Sequence, residues 1–61
     1  MSDRLAEAEV YFEKAVARDP EDPQLRMNLA LALEGLGKVE EAEAEREVAR
    51  RLEARGKPRK Q

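Results

Sequence analysis

Apolar positions recur along this chain at helical spacing, and prolines and glycines divide the recurrence into three. In the first stretch Leu5, Ala8, Tyr11, Phe12, Ala15 and Val16 form one stripe. Asp19-Pro20-Glu21-Asp22-Pro23 breaks it, because proline lacks an N–H donor and disfavours helix in the residue before it. Asp22 before Pro23 is a restart signal, an acceptor for free helix amides followed by a residue suited to the first helical position. The second stretch carries Leu25, Leu29, Leu33 and Leu36 on one side, with Met27 and Leu31 nearly opposite. A helix apolar on two sides needs neighbours on two sides. Gly37 suits the left-handed residue after its end. The third stretch has Val39, Val48 and Leu52 as its large apolar residues, helped by Ala42, Ala44 and Ala49, and stops at Gly56 with Pro58 beyond. The pattern predicts helices over about 3–18, 23–36 and 39–55, the first capped by Ser2, and nothing alternates with the period of a strand. The expected class is all-α: a three-helix unit of antiparallel hairpins in one domain, 1–55, followed by a basic flexible tail, 56–61.

Composition narrows the chemistry. The 61 residues include 12 bases and 14 acids, for a net charge of −2, and no His, Cys or Trp. Without thiol or imidazole there is no Cys/His zinc site, Ser-His-Asp triad, thiol nucleophile or disulfide framework. Glu40, Glu41, Glu43, Glu45 and Glu47 are carboxylates on a solvated helix, where nothing desolvates them enough to make acids or bases of them. No phosphate loop, dinucleotide fingerprint or Glu-x-x-His motif is present. The expectation is a chain that is not an enzyme and takes no cofactor and no metal.

A membrane or nucleic-acid role is equally unsupported by pattern. The longest nearly apolar run, Leu25 to Leu33, is broken by Arg26 and Asn28 and is too short to span a bilayer. Asp3, Glu7 and Glu9 near the start are the opposite of a secretory leader, and a cysteine-free chain fits the cytoplasm. Residues 1–22 hold 7 acids and 3 bases, whereas residues 55–61 hold 4 bases and no acid. Those bases have no aromatic beside them for stacking on nucleotides, so they read as a solvated terminus.

An internal repeat organises the helices. Shifting the chain by 34 residues sets Glu7, Ala8, Glu9, Glu13 and Ala15 on Glu41, Ala42, Glu43, Glu47 and Ala49. Leu29, Ala30 and Leu33, followed by Gly37, Ala42 and Ala49, stand at distances that resemble the tetratricopeptide repeat. In that resemblance Pro23 to Ala54 is one nearly complete repeat, helix A then helix B. Residues 3–22, with Ala8, Phe12, Ala15 and Pro20, resemble helix B of a preceding repeat. The chain departs from the pattern at Arg26, where an aromatic is usual, at Arg46, where the preceding copy has Phe12, and at Ala54, where the closing proline is missing. Those departures imply a finished, solvated C-terminal end and an open N-terminal one.

The resemblance implies a groove lined by helix A, with Gln24, Met27, Leu31 and Glu34 facing a bound peptide. Spacing also puts these four on one side of the second helix. Asn28 matches an asparagine that family members use on a peptide backbone. A chain of this length buries only about 60% of its unfolded surface. With neither disulfide nor metal, a second copy is the remaining source of buried area. A homodimer is therefore expected, through Met27 and Leu31 and through the stripe of Leu5, Ala8, Tyr11, Phe12 and Ala15. The function expected is a protein–protein interaction or self-assembly module. The alternative is a structural or engineered repeat fragment that folds and oligomerises without a natural ligand.

Overall fold

Three helices follow one another, α1 (Asp3–Arg18), α2 (Pro23–Gly35) and α3 (Val39–Gly56), in a computed structural model that describes residues 3–56. The expected Ser2 cap and the basic segment 57–61 lie outside the described residues. Both α1 and α3 pack against α2 rather than against each other. The centre of the molecule is thus the shortest and most apolar helix.

Local chemistry sets the joints. Asp22, in extended conformation, accepts from the Gln24 amide at 2.9 Å through its side chain, and Pro23 opens α2. At the other end α2 stops at Gly35, one residue before the expected boundary, with Leu36 as its cap. The Lys38 amide donates to the Leu33 carbonyl and the Gly37 amide to that of Glu34, both at 2.9 Å. Gly37 closes this motif at a φ of 85°, a conformation that costs side-chain-bearing residues energy.

The core is built on α2. Leu29, Ala30 and Leu33 join Val16 of α1 and Ala42 of α3, with Phe12 and Leu25 packed against them. Ala30 and Ala42 are fully buried and Ala49 is 1% exposed, so small side chains let α2 and α3 approach closely. Ala32 is buried as well, a position that a stripe of large residues could not reveal. Arg26, a charge where the repeat pattern usually has an aromatic, is put to use by the fold. Its guanidinium donates to the Pro20 carbonyl at 3.3 Å and to Glu45 at 3.1 Å, tying the first joint to α3. It clamps the edge of the hairpin, its side chain 20% exposed.

Candidate functional site

The side of α2 turned away from its buried leucines is only partly covered: Met27 lines a hollow with Glu43, Arg46, Glu47 and Arg50 of α3, while Leu31 stands clear. Leu31, at 61% exposure, is its centre, with Met27 half-buried beside it. Gln24 and Glu34 are exposed and Asn28 is half-buried. The five expected groove residues therefore share one surface. Its polar members are already engaged within the chain. Gln24 donates to the Asn28 side-chain oxygen at 3.4 Å, and Arg46 of α3 donates to Glu34. The carboxylate and amides are thereby oriented, leaving an apolar strip with a fixed polar border.

The stripe expected on α1 is divided by the fold. Leu5 lies against the backbone of Gly35, where an added Cβ would come within 2.9 Å of its Cδ1. Phe12 packs on the core, and Leu5, Ala8, Phe12 and Ala15 are all half-buried. Leu5 and Phe12 are thus occupied by the chain's own α2. Tyr11, 67% exposed, stands out at the flank with its ring edge-on to Phe12 at 5.3 Å. The repeat makes the asymmetry measurable: Ala42 and Ala49 are sealed against α2, while their counterparts Ala8 and Ala15 remain half-open. Helix α1 has no hairpin partner of its own among the described residues.

One exposed residue escaped the sequence reading. Val10 is 51% exposed, and with Ala6, Glu7, Tyr11 and Lys14 it lines a shallow apolar hollow on the outward side of α1. The available signal was an apolar residue lying off the main stripe between two opposite charges. By contrast, the α3 side of the molecule is charged. Glu47 accepts from both Arg50 and Arg51, and Arg46 reaches Glu34. The hydrogen bond from Arg50, then its charge, holds the Glu47 carboxyl below its ordinary value. Lys38 is raised, first by its hydrogen bond to Glu9 and then by that carboxylate's charge. Among the described residues no group of three or more carboxylates could hold a metal ion, and no helix is long and apolar enough to cross a membrane.

A family model described as tetratricopeptide repeat matches residues 1–56. The chain belongs to the tetratricopeptide repeat family. No curated protein and no solved structure matches it. Helix α1 is accordingly helix B of one repeat, and α2 with α3 is the A–B hairpin of the next, about one and a half repeats in all. Tetratricopeptide repeats as a class are protein–protein interaction modules.

Proposed function

We propose that this chain is a non-enzymatic protein-interaction module whose α2 face receives a segment of another protein, and that it also associates with a second copy of itself. The observation that carries the first part is Leu31, a large apolar side chain at 61% exposure on the face that the family uses as its groove. Met27 extends that strip, and Gln24, Asn28 and Glu34 border it. An apolar anchor on a helical or extended peptide fits Met27 and Leu31, and its backbone meets the bordering amides. A displayed peptide library selected on the folded chain tests this. Enriched peptides should bind saturably and lose at least tenfold in affinity to L31E, whose circular dichroism stays helical. Failure to recover any saturable binder, or recovery of binders indifferent to L31E, rejects the face. The first of those results would favour a unit that folds and associates without a ligand.

Self-association is supported by the shortage of buried surface. Seven hydrophobic residues make up the buried set among the described residues, four of them alanines. Apolar area covered by a second copy adds stabilisation that so small a core lacks.

A further inference from the structure

The outward side of α1 carries a sequence that is symmetric in chemistry and opposite in charge. Val10 and Tyr11 stand side by side, Glu7 lies three residues before them and Lys14 three residues after. All four line the same hollow, and Val10 and Tyr11 are two of the four exposed large hydrophobics among the described residues. Among the described residues, no ion pair within the chain engages Glu7 or Lys14.

We infer that this face pairs with the same face of a second copy, α1 against α1, antiparallel, with the two-fold axis between residues 10 and 11. The inference rests on the self-association proposed above and assigns it a surface and a register. In that register Glu7 of each copy lies level with Lys14 of the other, so two opposite-charge pairs form at once. Val10 and Tyr11 from both copies meet between them. An isologous contact of this kind uses one patch twice, which a self-complementary pattern satisfies. A parallel pair would set Glu7 on Glu7 and Lys14 on Lys14, so charge alone selects the antiparallel arrangement. The polar groups around Met27 and Leu31 are already paired within the chain, as Gln24 with Asn28 and Glu34 with Arg46, and offer no such symmetry. One helix face covers well under the roughly 1,200 Å² of a stable complex, so the dimer is weak and concentration-dependent.

The test is sedimentation equilibrium on the full chain between about 10 μM and 1 mM, with E7K and K14E measured alone and mixed. Tyr11 is the only tyrosine, so its ring resonances report directly on the proposed contact. The wild-type mass should rise from near 6.9 kDa towards twice that value, with the Tyr11 signals moving in step. Each single variant, still helical, should associate about tenfold more weakly, because reversal creates two like-charge pairs per dimer. An equimolar mixture should recover wild-type association, since its heterodimer restores both pairs. Association that neither variant alters overturns this face and leaves self-association standing through another surface. A chain that stays monomeric up to 1 mM overturns both. Weakening that the mixture does not rescue overturns the antiparallel register.

Discussion

Two glycines in adjacent turns of backbone respond to different physics. Gly37 sits at a φ of 85° with nothing near the place a Cβ would occupy, so its requirement is conformational. Gly35 is the last residue of α2, and the nearest atoms to a Cβ there would be the two methyls of Leu5 and its Cγ. Gly37→Ala is expected to cost about 1–2 kcal/mol by forcing a side chain into the left-handed region. Gly35→Ala should stay within about 0.5 kcal/mol, because Leu5 can turn aside and alanine favours helix over glycine. Urea midpoints of the two variants check the contrast, and a larger loss at Gly35 would show that Leu5 is pinned. Arg26 makes the same point about context. From sequence it is a charge in place of an aromatic, whereas in the fold it binds Pro20 and Glu45 together. Arg26→Ala is expected to cost about 1 kcal/mol, since it leaves the part-buried Glu45 carboxylate without this donor, while the exposed Pro20 carbonyl turns to water.

The elements are held as much by their ends as by their faces. Asp22 accepts from the Gln24 amide, so Asp22→Ala should cost about 1 kcal/mol, read as a lowered thermal midpoint, with Asp22→Ser recovering most of it. Charge acts within α3, at Glu47, and at the joint before it, at Lys38, with a definite pH dependence. Glu47 is held below its ordinary 4.5, so the folded chain binds this proton less readily than the unfolded one. Its contribution is in place above that value and is lost as pH falls through the lowered one. Lys38 is raised above 10.5, so its contribution is in place below that value and lost as pH climbs through the raised one. Both side chains are exposed, so both effects are small and shrink with salt. The stability gap between wild type and E47Q should therefore narrow as the pH falls from 7 to below 4.5. A gap that does not narrow would assign the effect to packing instead.

At the scale of the whole molecule the core is lopsided. Helix α2 supplies four buried residues, while α1 supplies Val16 alone among its described side chains. Amides of α2 are expected to exchange with solvent more slowly than those of α1, which opens first. Equal protection in the two helices at low concentration would show that α1 is held by more than its contact with α2. If protection of α1 rises with concentration, that would mark α1 as the element a second copy stabilises. The three helices, their joints and the repeat were legible in the chain, because proline, glycine, caps and apolar period act through neighbours close in sequence. Leu31 as an exposed centre was equally legible, since a helix apolar on two sides cannot bury both with so few partners. Which apolar residues of α1 remain free was not. Leu5, Phe12 and Tyr11 fall in one stripe of the sequence, and only the path of α2 across that stripe separates the covered from the open. Arg26 reaching Glu45, and Ala8 half-open where Ala42 is sealed, have the same origin. Periodicity decides which side of a helix is apolar, but the position of a neighbouring helix decides how much of that side is used.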